Sequence, residues 1–465
     1  MRRKKYTAVA SLLIIPLLLV GCDQNRDPRK LKFDPIKFDA PKTERTTLEN
    51  GAIIHLLNDH ELPLINMAVK IKGGSIYDPI GKEGLADLTT ALIRSGGVKG
   101  MTAEEIDQEL EFIGGAIEAK SEGGETNIVL SVLSKDIDKG LTLLSKIIKE
   151  PAFRGDKILL EKGKFVEAIR RENDNPEDVG VRELIKKIYS GGSSGRFPTV
   201  ESVNRIGLAD LRGFRENYFR SENMIIGISG DFDKKYILQR IGELFKEKEG
   251  GAIKFPDIKP PVPVKGIYLI ERNIAQSVIR MGHLGLKKSS PDNHAVRVMN
   301  RILGEGGFNS RLMKEVRTAR GLAYSVGSSF KMGHETEGLF MAGCDTKPES
   351  TVEALEVILK TMDDMRTTPV TDEELAIAKD SIINSFAFAF KGPDEVMLNR
   401  LNVEYYGLPE DYIETFREKI DAVTKEDVLR VAQKYLRPDE MAIVVVGKKD
   451  ALNGNLPRFK SIHRE

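Results

Sequence analysis

Apolar and polar residues alternate from Ile53 to Leu57 and from Ile65 to Lys72 closely enough for strands with one buried face. Asn127 to Leu133 reads as a further strand. Between these runs the period changes. Thr102 to Ile113 carries Ile106, Leu110 and Ile113 at helical spacing, opens on Thr102 as an N-cap with Glu105 three residues on, and stops at Gly114-Gly115. Ile137 to Ile148 places Leu141, Leu144 and Ile148 on one helix face, with Pro151 beyond its end. Strands separated by helices, with short hairpin-like gaps, predict an α+β fold with helices packed on one face of a largely antiparallel sheet. His55 and His60 would flank one such hairpin.

The pattern occurs twice. Asp210-Leu211, Tyr218 and Asn223-Met224-Ile225-Ile226-Gly227-Ile228-Ser229-Gly230 read as a helix and then a strand ending in glycine. Asp427-Val428, Tyr435 and Glu440-Met441-Ala442-Ile443-Val444-Val445-Val446-Gly447 read the same way, 217 positions later (427 − 210). Pro176, Val179, Leu184 and Tyr189 meet Pro393, Val396, Leu401 and Tyr406 at the same offset. A gap-free register of this length marks a duplicated unit of about 200 residues, large enough for its own core. Pro256, Pro260, Pro261 and Pro263 mark a linker over 250–264, because proline breaks helices and central strands. Two homologous domains are therefore expected, at 44–249 and 265–460.

Ahead of them, Arg2, Arg3, Lys4 and Lys5 precede an apolar run from Ala8 to Val20. A bilayer span takes about 20 apolar residues, so the run reads as a signal peptide over 1–21. It closes on Leu19-Val20-Gly21-Cys22, which resembles a bacterial lipoprotein cleavage box. Cys22 is then the lipidated first residue, 22–43 is a polar tether, and the protein sits in the bacterial cell envelope facing the periplasm, on either membrane. A net charge of +1 without a basic block argues against a nucleic-acid partner. With Cys22 acylated, no intramolecular disulfide is available to Cys344, the one other cysteine, which reads as a small buried hydrophobe.

The most specific stretch is Gly304-Glu305-Gly306-Gly307-Phe308-Asn309-Ser310-Arg311-Leu312, continuing through Glu315-Val316-Arg317 to Arg320-Gly321-Leu322-Ala323-Tyr324-Ser325-Val326. It closely resembles the C-terminal domain of the pitrilysin/insulinase metallopeptidases, which include mitochondrial processing peptidase. Gly73-Gly74-Ser75-Ile76-Tyr77-Asp78-Pro79 and Gly81-Lys82-Glu83-Gly84-Leu85-Ala86 resemble the approach to that family's metal-binding helix, so the likeness runs over about 44–449. It implies that Arg317 and Tyr324, at the family's spacing of seven, bind substrate and the transition state across a cleft from zinc.

At the zinc helix the chain departs from the family. Family enzymes carry H-x-x-E-H after Gly-Leu-Ala, two histidines one helical turn apart for zinc and a glutamate to take a proton from zinc-bound water. Here the positions read Asp87-Leu88-Thr89-Thr90-Ala91, and the downstream ligand position falls on Ala168, with Glu167 one residue off. One aspartate is a poor zinc site, since a catalytic zinc has three protein ligands. The six histidines, His55, His60, His283, His294, His334 and His463, offer no i, i+4 pair and read as surface or cap residues. No metal ligand and no cofactor are assigned to this chain.

Two readings follow from the resemblance. In the first, the chain is the non-catalytic subunit of a heterodimeric zinc peptidase, contributing Arg317 and Tyr324 toward peptide substrates while an H-x-x-E-H-bearing partner holds the zinc. In the second, it is a catalytically inactive binding or scaffold lipoprotein, as the core subunits of the respiratory cytochrome complex are inactive members of the fold. Retention of Arg317 with Tyr324 favours the first.

Overall fold

The structure is a computed structural model that describes residues 41–246, 251–453 and 462–464. The signal peptide, Cys22 and most of the tether lie outside the described residues. Among those described, no helix is long and apolar enough to cross a membrane.

The first half builds a six-stranded sheet from β1 (Glu44–Thr47), β2 (Ile53–Asn58), β3 (Leu64–Lys72), β4 (Ala116–Glu122), β5 (Glu125–Leu133) and β6 (Met224–Gly230). Its helices are α1 (Leu85–Ser95), α2 (Ala103–Phe112), α3 (Ile137–Lys149), α4 (Gly155–Arg171), α5 (Pro176–Ile188), α6 (Val200–Arg205), α7 (Leu208–Tyr218) and α8 (Lys234–Leu244). The second half has β7 (Gly266–Glu271), β8 (Ser277–Leu284), β9 (Ala323–Lys331), β10 (Leu339–Thr346), β11 (Ala442–Gly447) and β12 (Ile462–Arg464). Its helices are α9 (Asn293–Asn300), α10 (Thr351–Thr367), α11 (Asp372–Ala387), α12 (Pro393–Tyr405), α13 (Tyr412–Asp421) and α14 (Lys425–Tyr435). The sheet orders are β1-β2-β6-β3-β5-β4 and β12-β7-β11-β8-β10-β9, so five strands of one map onto five of the other. Both are largely antiparallel, with parallel pairing of β2 to β6 and of β7 to β11 and β12. The offset of 217 survives in three dimensions: α5 and α12, and α7 and α14, begin and end at matching positions.

The helix expected after Thr102 is α2, and its capping box is complete. Glu105 N–H donates to Thr102 Oγ1 at 3.1 Å, and Thr102 N–H donates to the Glu105 carboxylate at 2.7 Å. The expected hairpin between His55 and His60 does not form. β6 lies between β2 and β3, because a strand far along the chain supplies a parallel neighbour that no local pattern announces. The reading of every histidine as a surface or cap residue also fails. His55 and His283 are buried, at 6% and 2% exposure.

Each sheet receives helices from its own half on one face, and a helix from the other half on the second. Helix α5 of the first half lies on β8 and β11, and α12 of the second half lies on β6 and β2. Val179, Leu184 and Ile188 of α5 thereby join Val278, Val444 and Val446 in a hydrophobic cluster of their own. Close approach is achieved differently on the two sides. A Cβ on Gly227 of β6 would stand 2.5 Å from the Met397 side chain of α12. On the other side the glycine is on the helix: a Cβ on Gly180 of α5 would stand 3.2 Å from the Arg280 side chain, with Val278 and Val446 at 3.4 and 3.6 Å. Asp394 fixes the start of α12, accepting hydrogen bonds from Asn66 at 2.6 Å and Ser229 at 2.7 Å on the first sheet. The stretch from 251 to 264 runs along the first half before the chain enters the second sheet. Val262 and Val264 donate N–H groups to Ser190 and Lys187, and the Phe255 ring lies 5.3 and 5.6 Å from those of Tyr77 and Tyr218.

His283 sits in this framework as a neutral ring. It stacks on Phe340 at 4.9 Å, meets the Leu284 carbonyl through Nδ1 at 2.8 Å, and accepts the Arg437 N–H at Nε2, 3.2 Å away. Burial holds its pKa down to about 4. A depressed folded pKa means that stability is complete above the unfolded value of about 6.5 and is lost as pH falls toward 4. Urea unfolding should therefore show a loss on the order of 3 kcal/mol from this group between pH 7 and 4, with His294, also held down to about 4, adding to it. His283→Gln should flatten the profile; an acid loss equal to that of the wild type would contradict the assignment.

Candidate functional site

Helix α1 carries the five positions that hold H-x-x-E-H in the family. Its entry is built by Asp78, whose carboxylate accepts the N–H groups of Gly84 at 2.8 Å and Ala86 at 2.9 Å, satisfying donors that a helix start leaves open. Burial pushes the Asp78 pKa up to about 7 against these two hydrogen bonds. The approach to the helix thus keeps its form while the donors on it are gone. Asp87 is half-buried, and desolvation raises its pKa. Thr89 and Thr90 are fully buried, and their hydroxyls have no hydrogen-bond partner among the described residues. On α4, Ala168 has no donor, and Glu167 points to solvent and pairs with Arg171 at 2.9 Å. A zinc ion here would find one carboxylate, a hydroxyl and two methyl groups, which does not fit its preference for nitrogen, sulfur and carboxylate donors. Among the described residues no group of three His, Cys, Asp or Glu side chains is placed to hold a metal ion.

The second half keeps a different constellation. After α9 the chain forms a π-helical turn over Arg301–Glu305, a 3-10 turn over Gly307–Asn309 and a second π-helical turn over Met313–Thr318, then enters β9. π turns insert a residue into a helix and re-aim its side chains. Arg317 lies in the second such turn and Tyr324 at the start of β9. Leu312 and Val316 anchor the segment in the core. Arg311 pins it to the start of α11 through a two-pronged ion pair with Glu374, at 2.7 and 2.9 Å, which holds the Glu374 pKa down at about 2. The turn into β9 is tied by Thr346, whose hydroxyl donates to the Leu322 carbonyl at 2.6 Å.

On this base Arg317 and Tyr324 meet. The guanidinium carbon lies 4.6 Å from the centre of the Tyr324 ring. Tyr324 is 82% exposed, so it is not packing the core. Among the described residues Arg317 has no carboxylate within ion-pair distance. A purely structural pair would show the opposite, a buried ring and a neutralised cation. Reading the spacing of Arg317 and Tyr324 alone missed a third member, Phe308, whose ring centre is 4.7 Å from the same guanidinium and which is 68% exposed. An aromatic residue in a glycine-rich turn was the available signal. Cys344 is buried on β10, and burial pushes its thiol up to about 12, the behaviour of a small hydrophobe.

Two family models match the chain: insulinase (peptidase family M16) over residues 54–197 and the peptidase M16 inactive domain over residues 205–382. An uncharacterized zinc protease of Streptomyces coelicolor is 26% identical over 371 residues, covering 76% of this chain and 79% of the relative. The uncharacterized zinc protease YmxG of Bacillus subtilis is 23% identical over 417 residues, covering 89% and 99%. A crystal structure of a peptidase M16 inactive domain from Pseudomonas fluorescens superposes with a TM-score of 0.81 at 26% identity, covering 88% of this chain and 98% of that one.

The orphan hydroxyls on α1 give a stability test. Thr90→Val keeps the shape and removes a buried group that has lost its water without gaining a partner, so urea unfolding should show a gain of about 1 kcal/mol. A loss of similar size would mean that the hydroxyl is hydrogen-bonded in solution.

Proposed function

The chain is a half-size member of the insulinase family, peptidase family M16, and we propose that it is the non-catalytic, substrate-binding subunit of a two-chain zinc peptidase. The observation that carries this reading is the contrast between the halves. Helix α1 has lost its donors, while Arg317 and Tyr324 stay together, the tyrosine exposed and the arginine without a carboxylate among the described residues. The match of the second half to an inactive domain of the family supports the same division. An H-x-x-E-H-bearing partner chain would hold the zinc and supply the activated water. On this chain, the Tyr324 hydroxyl would donate a hydrogen bond to the oxygen of the scissile carbonyl as negative charge develops there, and the N–H groups of Arg317 would hold the neighbouring peptide backbone.

Reconstitution with the partner tests it. Tyr324→Phe removes one exposed hydroxyl, so the complex should still assemble on a sizing column while kcat falls about 100- to 1,000-fold with KM little changed. Arg317→Lys should also be damaging, because an ammonium cannot reproduce the planar fork. Wild-type rates in assembled Tyr324→Phe and Arg317→Ala complexes would make this chain a wall of the chamber and leave the scaffold reading standing.

We also propose that the mature protein is held on a periplasmic membrane face by lipid on Cys22, on the strength of the Leu19-Val20-Gly21-Cys22 box. Cys22→Ser should lose fatty-acid labelling and move from the membrane pellet to the soluble fraction; unchanged fractionation would place the attachment elsewhere.

A further inference from the structure

The glycine-rich turn ahead of Arg317 has no role in the function proposed above, yet its geometry is demanding. A Cβ on Gly304 would stand 2.5 Å from the Ser328 backbone nitrogen of β9, so the turn lies directly against that edge strand. Gly307 adopts φ of +58°, which other residues rarely do, and Phe308 follows it. A turn built this tightly lifts one large apolar side chain into solvent, where burial gives it nothing. What Phe308 touches is the Arg317 guanidinium, at 4.7 Å, with Tyr324 at 4.6 Å from the same carbon.

We infer that Phe308 is a positioning residue: with Tyr324 it clamps the Arg317 guanidinium between two aromatic rings, leaving the N–H edge as the part that meets the peptide. A guanidinium attracts a ring through its face and an oxygen through its edge. With one ring on each face, a substrate aromatic would have no free face to stack on, whereas a backbone carbonyl could still be bound in the plane. The clamp also restricts a long side chain before substrate arrives, and side-chain ordering is a cost that binding otherwise carries. The inference rests on reading Arg317 and Tyr324 as substrate-facing groups.

The first measurement uses the full chain alone. Phenylglyoxal, an arginine-selective dicarbonyl, is added to wild type, Phe308→Ala, Phe308→Leu and Phe308→Trp, and labelling of Arg317 is followed by peptide mass spectrometry. Arg317 should label several-fold faster in the Ala and Leu variants and at the wild-type rate in the Trp variant, because Leu restores bulk but not the ring quadrupole. Phe308 is mostly exposed, so the fold should tolerate all three, with circular dichroism as the check. The second measurement uses the reconstituted complex with a quenched fluorogenic peptide. Phe308→Ala should lower kcat/KM about tenfold, mainly by raising KM, and Phe308→Trp should restore it. Equal labelling in all four proteins overturns the clamp. Faster labelling with unchanged kcat/KM, where Tyr324→Phe does lower kcat, overturns its consequence for peptide binding. If Tyr324→Phe also leaves kcat unchanged, the reading of the site fails, and the labelling of the chain alone still decides the clamp.

Discussion

A sheet has two faces, and β11, inside the second sheet, is apolar on both. β11 runs Ala442 to Gly447 without an exposed residue, so it needs cover above and below. Each half supplies one layer to itself and takes the second from the other, through α5 and α12. That exchange is what the remaining structure depends on. It ties the approach to α1 and the platform of Arg317 into one framework, because neither sheet can lose the foreign helix without opening a row of valines or isoleucines to water. The loss of metal donors on α1 is tolerated for the same reason. The helix is kept by its packing and by Asp78 at its start, and not by any ligand it holds.

Helix α1 and the Arg317 segment illustrate opposite uses of polar groups. On α1, Thr89 and Thr90 are enclosed with no hydroxyl partner among the described residues, a modest destabilisation that a well-packed helix can carry. Around Arg317 the bonded groups are Arg311 to Glu374 and Thr346 to the Leu322 carbonyl, which fix the backbone, and the guanidinium lies 4.7 Å from the Phe308 ring and 4.6 Å from the Tyr324 ring. A cation held by aromatic faces keeps its charge available, whereas one held by a carboxylate does not.

Local pattern carried a good part of this. The capping box at Thr102, the strands at Ile53 and Ile65 and the offset of 217 all rest on neighbours close in sequence or on direct comparison of segments, and all are found in the structure. Two features were not legible. The insertion of β6 between β2 and β3 and the crossing of α5 and α12 depend on contacts between residues far apart in the chain, which periodicity does not encode. His283 escaped for a related reason: its ring is enclosed by Phe340 and by the Arg437 backbone, both distant in sequence. Arg317 and Tyr324 were visible as a spaced pair, and Phe308 was not, because its partnership with Arg317 is a product of the fold of the turn.

The two glycines at the crossing helices carry a historical implication. Gly227 on a strand has Val444 as its counterpart 217 positions on, and Gly180 on a helix has Met397. In one crossing the small residue is on the strand and faces Met397; in the other it is on the helix and faces Arg280, Val278 and Val446. Two copies of the first half would set glycine against glycine and leave a hollow, and two copies of the second would set methionine against valine and collide. Whatever symmetric ancestor the repeat descends from, its copies have since diverged as lock and key, so that neither half could now replace the other by gene conversion without a compensating change at the facing position.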